Sequence, residues 1–574
     1  MNLQKILRST IIFLLGISVI GFSSISARAE NSPTHSTNSS PGFHSVLFEE
    51  SGAMKMAYSV LQGMASGGNQ VCNSTSDDWC KSSDWFKFNS VLKPCMNSTD
   101  SDCIDSVGIQ QTDGQISTGQ FKNFTVENQV NEFKADPNLH IPAGGMPSIW
   151  SVPNAAHASG DLYAVVAQIV GSVNKAGNIN ERIVTTSLVP VKLTKSATPR
   201  NPNWDGNFYD NCRNNQQTPT RKNIQCSFPA GTDCILPVAD AFTCYTAENF
   251  PANARMNLKL RLSVEPAGWL HGRLIDPNMT IEKKNNYTLL SITGQSTSVP
   301  SVYQEGMWDT FPDALKNFWV NCMNHGDQCG VVGSNAYDLN YWEKSTTLDG
   351  NRATNTEGEL LNYGPIALEG MKAIAPLVGD KAIANPEHWN FRTLSVAEMS
   401  SANGCFTSGT GVKGIVTTNS TTYSEGPPEF SGGGLNYKVA SAHYLPDGSV
   451  FKGTYNLVMR SDVARCLYKF STAPIKASIE VVSESGDASS VATTIANEKD
   501  GWLYLSANNF TFSAPTVKVR LSQDVAARPS PVTPVTTKAP KPTSKQSAIS
   551  CSKGKLTKKV TGIIPVCPKG YVKK

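Results

Sequence analysis

Fourteen cysteines set the strongest limit on how this 574-residue chain can fold. Their number is even, and most stand close together in the sequence, which is typical of a disulfide framework. The spacing predicts seven pairs: Cys72/Cys80, Cys95/Cys103, Cys212/Cys226, Cys234/Cys244, Cys322/Cys329, Cys405/Cys466 and Cys551/Cys567. For residues 212, 226, 234 and 244 three pairings remain open. No two cysteines have the CxxC spacing of a zinc site, so the cysteines favour disulfides in an oxidising compartment.

The N-terminus reads as a secretory signal peptide. Lys5 and Arg8 precede the uncharged, mostly apolar stretch 11–22, and Ala27-Arg28-Ala29 fits the small-x-small cleavage pattern. We therefore assign residues 1–29 to the signal. No later stretch approaches the roughly 18 apolar residues of a spanning helix. The sequence predicts a protein that is secreted or held at the cell surface or envelope, with no transmembrane span after signal cleavage.

Hydrophobic alternation predicts a mainly β, multi-domain fold. Residues 162–173 and 183–193 are rich in Val and Ile, and Leu258, Leu260 and Leu262 alternate with charged residues. The pattern is typical of antiparallel, sandwich-like modules. A short helix is expected within residues 45–66. The Pro- and Gly-containing turns at 266–268 and 446–448 read as hairpin turns between paired strands.

Helices concentrate in a small insertion. Apolar residues from Phe311 to Cys322 recur every three or four positions after Pro312-Asp313, and residues 366–374 form a second candidate. These boundaries predict the following divisions: signal peptide 1–29, N-terminal cystine-rich and partly β domain 30–250, β module 251–300, helix- and loop-rich insertion 301–400, C-terminal β module 401–523, Pro/Thr/Lys linker 524–548, and a disulfide-closed basic hairpin tail 549–574.

Charge is distributed unevenly along the chain. Residues 30–524 hold 36 basic and all 46 acidic residues, a net charge of −10, whereas residues 525–574 hold eleven basic residues and no acidic one. An acidic body argues against nucleic acid as a partner, and a basic tail indicates an anionic polymer or surface. The residues expected to bind the envelope are the lysines of the terminal hairpin: Lys553, Lys555, Lys558, Lys559, Lys569, Lys573 and Lys574.

Catalytic motifs do not emerge. We find no HExxH, GxSxG or P-loop pattern, and we predict no metal site, no cofactor and no catalytic residue. The N-terminal cystine-rich segment is crowded with acidic residues: Asp77, Asp78, Asp100, Asp102 and Asp105. Asn97, Asp100 and Asp102 resemble loop ligands for calcium, but turn formation is the favoured interpretation. A glycan hydrolase would need facing carboxylates among aromatic rings. The candidates for this alternative function lie at Glu305, Trp308, Asp309, Tyr341, Trp342, Glu343 and Trp389.

Three groups of motifs carry a family resemblance. One is the tail, with Cys551, Lys555-Leu-Thr-Lys-Lys-Val-Thr561 and Cys567-Pro-x-Gly-Tyr-x-Lys-Lys574. The others are Gly268-Trp-Leu-His-Gly-Arg-Leu274 and the run Arg460 to Tyr468 with Glu498 to Leu503. Together they resemble secreted, cell-surface proteins of actinobacteria that have no established activity. The resemblance implies a location at the cell envelope and supplies no reaction.

These observations favour an exported cell-surface protein with a non-enzymatic binding or coat role. The basic tail would hold it to an anionic envelope polymer or glycan, and a coat role would also require self-association. The alternative is a secreted glycan-active hydrolase that uses carboxylates near residues 305–343.

Overall fold

The computed structural model describes residues 43–48, 50, 57, 59–66, 68–125, 132–195, 234–237, 243–307, 310–324, 356–359, 363–471, 475–482, 488–489, 493–512, 516–523 and 547–574. The chain divides into two compact units, Met1–Asp524 and Val525–Lys574, which we call the body and the tail unit. Strands dominate both, so the predicted mainly β fold with antiparallel sheets and a small helical part is confirmed.

Most of the described body is β-structure. The strands are β1 (Phe43–Phe48), β2 (Val60–Ala65), β3 (Gly68–Cys72), β4 (Trp85–Val91), β5 (Cys103–Gln110), β6 (Ile116–Thr118), β7 (Gln120–Phe124), β8 (Ser148–Ser151), β9 (Leu162–Asn174), β10 (Ile179–Lys195), β11 (Cys234–Pro237), β12 (Thr243–Ala247), β13 (Arg255–Leu262), β14 (Gly268–Arg273), β15 (Ile275–Lys283), β16 (Thr288–Gln295), β17 (Thr297–Ser298), β18 (Val302–Met307), β19 (Thr356–Glu359), β20 (Glu387–His388), β21 (Asn390–Thr393), β22 (Val412–Thr418), β23 (Thr422–Tyr423), β24 (Glu429–Ser431), β25 (Gly434–Ala440), β26 (Gly453–Arg460), β27 (Lys476–Val482), β28 (Ala488–Ser489), β29 (Thr493–Lys499), β30 (Trp502–Phe510) and β31 (Thr516–Ser522).

Helices are short and few in the described part of the body. They are α1 (Asp78–Lys81), α2 (Asp313–Asn324), α3 (Gly364–Ile374), α4 (Gly404–Thr407) and α5 (Ser461–Tyr468). The predicted helices at residues 311–322 and 366–374 are confirmed as α2 and α3. Their apolar faces meet in a separate core that contains Leu315, Phe318 and Met371.

One large sheet organises the body. Its strands follow the order β29-β30-β26-β22-β14-β21-β10-β9-β4-β2-β3, with β12 and β11 added beside β10, and β8 and β7 beside β9. β14 and β22 run parallel, whereas the other neighbours on this path are antiparallel. The sheet takes strands from all four segments predicted between residues 30 and 523.

Two smaller sheets pack on the large one. The five-stranded sheet β15-β16-β13-β5-β6 shares a core with β4, β9 and β21, and the six-stranded sheet of β23, β25, β31, β27, β28 and β24 shares a second core with β26 and β30. Leu270 belongs to the first core, and its neighbour Trp269 belongs to the second. Because adjacent strand residues point to opposite faces, the small sheets cover opposite faces of the large sheet at β14.

Burial along the strands reflects this layering. In β13, Leu258, Leu260 and Leu262 are buried while Lys259 and Arg261 are partly exposed, so the predicted half-buried strand is confirmed. The predicted strands near residues 162–173 and 183–193 form the long pair β9 and β10. All seven residues of β22 are buried, as expected where both faces of a sheet are covered.

Strands occupy both ends of residues 45–66, within which the sequence predicts a short helix. Residues 43–48 form β1 and residues 60–65 form β2. Residues 49, 51–56 and 58, which hold most of the helical pattern, lie outside the described residues, so the helix stays a prediction. β2 lies between β3 and β4 and buries Leu61 and Gly63.

The predicted hairpin at 266–268 is wrong, because β13 and β14 belong to different sheets. The one at 446–448 forms as a short local hairpin, in which Tyr444 pairs antiparallel with Val450 and the amide of Phe451 donates to the carbonyl of His443. Residues 266–268 join β13 of the five-stranded sheet to β14 of the large sheet, and residues 446–448 lie on the connection from β25 of the six-stranded sheet to β26 of the large sheet. The local turn at 446–448 forms, with the amide of Gly448 donating to the carbonyl of Leu445. The turn residues therefore predict where the chain reverses. The burial of strand side chains decides which strands β13, β14, β25 and β26 pair with.

Four predicted disulfides are present: Cys72–Cys80, Cys95–Cys103, Cys405–Cys466 and Cys551–Cys567. Cys244 is also disulfide-bonded. Cys212, Cys226 and Cys329 lie outside the described residues, as do the side chains of Cys234 and Cys322. Those three pairings stay predictions.

The number of residues that each disulfide encloses predicts that two disulfides of the body contribute unequally to stability. Cys405 and Cys466 are 61 residues apart and join α4 to α5, whereas Cys72 and Cys80 are eight apart. Loop-closure entropy predicts that Cys405→Ala/Cys466→Ala lowers the free energy of unfolding by about 4 kcal/mol, against about 2.5 kcal/mol for Cys72→Ala/Cys80→Ala. Urea unfolding of the two double variants measures both. An equal loss in the two variants would contradict the entropic account.

Candidate functional site

The tail unit is a small three-stranded antiparallel sheet. Its strands are β32 (Ser547–Lys553), β33 (Leu556–Gly562) and β34 (Val572–Lys573), with β32 in the middle. The predicted disulfide-closed hairpin is present, with an added third strand. Cys551 is fully buried and bonds Cys567, which fastens the segment after β33 onto the sheet. So small a sheet has little apolar surface to bury, and the disulfide supplies the missing constraint.

All seven lysines predicted to bind the envelope are exposed: Lys553, Lys555, Lys558, Lys559, Lys569, Lys573 and Lys574. Residues 547–574 contain no acidic side chain, so the unit offers these lysines no carboxylate side chain of its own. Each ammonium group carries three hydrogen-bond donors and no acceptor. The geometry leaves these donors directed to solvent and accessible to an anionic partner.

The strand register sets the spacing of the cations. Lys558 and Lys573 both stand opposite Cys551, one on each neighbouring strand, so they share a face and lie about 10 Å apart across β32. Lys559 lies on the other face, opposite Ser550. Positive charge therefore covers both faces of the sheet. Such an array attracts polyanions through many weak contacts and is screened by salt over about 10 Å.

A second polar cluster lies inside the body, in the motif Gly268-Trp-Leu-His-Gly-Arg-Leu274. The fully buried side chain of Arg273 pairs with Glu50 at 2.7 Å. Its Nη1 donates to the carbonyls of Thr418 and Ser420 at 2.9 and 2.8 Å. Arg273 therefore ties β14 to the chain just after β22 and to the segment after β1.

Arg392 stands directly opposite His271 in the neighbouring strand β21. It donates two hydrogen bonds to Glu398, at 2.8 and 2.6 Å, and its guanidinium lies 4.6 Å from the ring centre of Tyr363. The imidazole of His271 stacks on Tyr423 with ring centres 3.8 Å apart. Arg273 packs over the same Tyr423 ring at 4.7 Å. Cation–π contacts of this kind are strongest where water is excluded.

Electrostatics fix the protonation of this cluster. Burial, and then the nearby Arg273 and Arg392, hold the pKa of His271 well below its usual range, so the imidazole stays neutral. Burial by itself raises the pKa of Glu398, but Arg392 outweighs it and the pKa is lowered. The same balance, with Arg273 as the cation, lowers the pKa of Glu50. The cluster is a set of ion pairs and ring contacts that joins β14 and β21 to neighbouring segments of the body.

The second body motif also has a structural use. Arg465 of α5 pairs with Glu498 of β29 at 2.8 Å, and Cys466 bonds Cys405 of α4. The hydroxyl of Tyr468 donates to the carbonyl of Val519 in β31. Together these contacts fix α5 between the large sheet and the six-stranded sheet.

The structure places few of the hydrolase candidates. Trp389 is buried, and its indole N–H donates to the carbonyl of Gly294 at 2.9 Å, so it is a core residue and not a sugar-stacking surface. The backbone of Glu305 lies in β18 opposite Ser45. The side chain of Glu305 and the residues Trp308, Asp309, Tyr341, Trp342 and Glu343 lie outside the described part of the chain.

The acidic residues near the first two disulfides form turns and ion pairs. Asp77 accepts hydrogen bonds from the amides of Asn73 and Ser74, and Asp100 accepts from those of Met96 and Asn97. Asp102 pairs with Arg182 at 2.7 Å. Among the residues that the structure places, no group of three or more His, Cys, Asp or Glu side chains is arranged to hold a metal ion.

Comparison with known proteins assigns this chain neither a family nor a function. No protein-family model, no curated protein and no solved structure matches this chain. Within the described residues, every helix is too short or too polar to cross a membrane.

The buried ion pair predicts a large stability effect at Arg273. Arg273→Met leaves the carboxylate of Glu50 without its cation, and we expect the free energy of unfolding to fall by about 3 to 5 kcal/mol. The matched control is Arg460→Met, which breaks an exposed pair with Asp462 and costs at most about 1 kcal/mol. Chemical unfolding measures both. In Arg273→Met/Glu50→Gln part of the loss is regained, and a further loss would argue against the ion pair as the cause.

The lowered pKa of Glu398 predicts a pH dependence. A carboxyl whose pKa is lower in the folded state stabilises the fold above its ordinary value of 4.5, and this contribution disappears as the pH falls through the lowered pKa. Glu398→Gln removes the titrating group. We therefore expect wild type to be more stable than Glu398→Gln at neutral pH, and the difference to shrink on acidification. Unfolding curves across this pH range test the trend, which a constant difference would refute.

Proposed function

We propose that this protein is an exported cell-surface protein with a non-enzymatic binding or coat role, held at an anionic cell-envelope surface by its tail unit. The observation that carries the proposal is the exposure of all seven lysines on a disulfide-closed sheet without an acidic side chain. A folded cationic unit of this kind is suited to reversible electrostatic attachment, because its charges are held at fixed spacing.

The charge of the body supports attachment through the tail unit and not through the body. Residues 30–524 have a net charge of −10, so an anionic surface repels the body and attracts only the tail. The part of the tail unit that precedes β32, residues 525–546, is rich in Pro, Thr and Lys, a composition typical of an extended spacer.

The polar motifs of the body support a scaffold role. His271, Arg273 and Arg392 make ring contacts and ion pairs inside the body, and Arg465 fixes a helix to the large sheet. Residues whose type is common in catalytic sites thus serve here as structural contacts. We infer that the body presents a rigid β surface for binding or assembly.

Removal of residues 525–574 tests the attachment. Full-length and truncated protein are expressed in an actinobacterial host, and the amount in the medium is compared with that on washed envelopes at low and high salt. We expect full-length protein on the envelopes and a smaller amount of it there at high salt, because ionic screening weakens contacts between exposed charges. Truncated protein should accumulate in the medium. Equal partition of the two forms would refute attachment by the tail.

Variants in which lysines are replaced by uncharged glutamine distinguish the role of the lysines from that of the rest of the tail. A variant with four tail lysines changed to glutamine should lose envelope binding at low salt: Lys553→Gln, Lys558→Gln, Lys559→Gln and Lys573→Gln. The control makes the same change in net charge at exposed lysines of the body: Lys283→Gln, Lys284→Gln, Lys438→Gln and Lys499→Gln. If both sets weaken binding equally, net charge and not the tail site determines attachment.

A further inference from the structure

Exposed aliphatic side chains adjoin the lysines of the tail unit. Ile563, Ile564 and Val566 are 65%, 85% and 74% exposed, and Leu556 and Val572 are 67% and 73% exposed. All five fall within residues 556–572. Single exposed apolar residues are common on protein surfaces, but a run of neighbouring ones marks an interaction site.

The fold holds the apolar run in place. Residues 563–566 leave β33 at Gly562 and reach the sheet again at Cys567, whose disulfide to Cys551 fixes the far end of the loop. Pro565 restricts the backbone within the loop. The loop is therefore anchored on both sides while its side chains project into solvent, so little conformational freedom remains to be lost on binding.

We propose that the loop 563–566 inserts into the interfacial region of an anionic lipid bilayer while the surrounding lysines bind lipid headgroups. This inference rests on the proposed attachment through the tail and names its partner. Charge complementarity selects an anionic surface, and the aliphatic side chains select lipid, because a soluble polyanion offers no apolar phase in which to bury them. Adjacent apolar and basic residues are the combination with which proteins bind such interfaces.

The two kinds of contact respond differently to salt. At about 1 M salt the screening length falls to about 3 Å, so binding through exposed lysines is lost. Burial of aliphatic surface is not weakened by screening. Full-length protein should therefore bind vesicles of phosphatidylglycerol and phosphatidylcholine tightly at low salt and stay partly bound at about 1 M salt. It should bind vesicles of phosphatidylcholine alone only weakly.

Vesicle flotation with full-length variants tests the loop directly. Ile563→Ser/Ile564→Ser keeps every charge, and we expect roughly a hundredfold weaker partition into the mixed vesicles and no retention at high salt. The matched control is Met96→Ser/Val396→Ser, which changes two aliphatic side chains of the body that are 79% and 68% exposed. The control should bind like wild type. Soluble polyglutamate should bind wild type and the loop variant equally.

A second measurement does not depend on loss of binding. In Ile564→Trp, the emission of the added tryptophan, taken as the difference from wild type, should shift to shorter wavelength when mixed vesicles are added. The absence of a shift would overturn insertion. Mass spectrometry of the Cys551–Cys567 disulfide in each variant checks that the tail unit has formed.

The outcomes distinguish insertion of the loop into lipid from electrostatic attachment through the tail, on which the insertion rests. Insertion is overturned if Ile563→Ser/Ile564→Ser binds polyglutamate and mixed vesicles as well as wild type does and if salt releases all of the bound protein. Electrostatic attachment through the tail would still stand in that case. If full-length protein binds neither vesicles nor polyglutamate, attachment through the tail fails as well.

Discussion

The body depends on burial of both faces of its central strands. At β14, Leu270 enters one core and Trp269 the other, and the neighbouring strand β22 is buried throughout. A strand in this position has no solvent face for polar residues, so each one it carries needs a partner inside the protein. Arg273 meets this demand through Glu50 and two carbonyls, and Arg392 through Glu398. The small sheets, the helices and the disulfide between α4 and α5 are arranged around this shared layer.

Local features of this fold could be predicted from the sequence, and global ones could not. The alternation of Leu258, Leu260 and Leu262 determines a strand, because period-two burial depends only on neighbouring residues. The helices at 313–324 and 364–374 follow from their apolar spacing in the same way. By contrast, the turn at 266–268 led to the wrong strand partner for β13, and the turn at 446–448 pairs only the residues beside it and does not pair β25 with β26. A turn specifies where the chain reverses, whereas the choice of sheet depends on surfaces contributed by residues far away in the sequence.

The candidate site shows the same limit. Lysines in an acid-free segment with two cysteines are sufficient to predict an exposed cationic hairpin, because every element of the argument lies within 25 residues or so. The exposed Ile563 and Ile564 were missed, although their sequence offered a signal: aliphatic residues beside a proline in a unit too small to hold a core. The buried His271 and Arg273 also carried a signal, since two ionisable residues alternate within a strand that is otherwise apolar. Their partners Glu50 and Tyr423, more than a hundred residues away in the sequence, could not be identified without the fold.

The continuous large sheet has a consequence for how such a body is made and how it fails. Its strands come from residues as far apart as Val60 and Phe510, so the edge presented by an incomplete chain is the interior of the finished sheet. Synthesis delivers β2, β4, β9 and β10 long before β14, β22 and β26 exist to cover them, and an uncovered edge is a template for pairing with another chain. The same architecture that buries the central strands of the body thus makes its folding a competition between completion and misassembly. Folding helpers would therefore act chiefly on the first half of the chain.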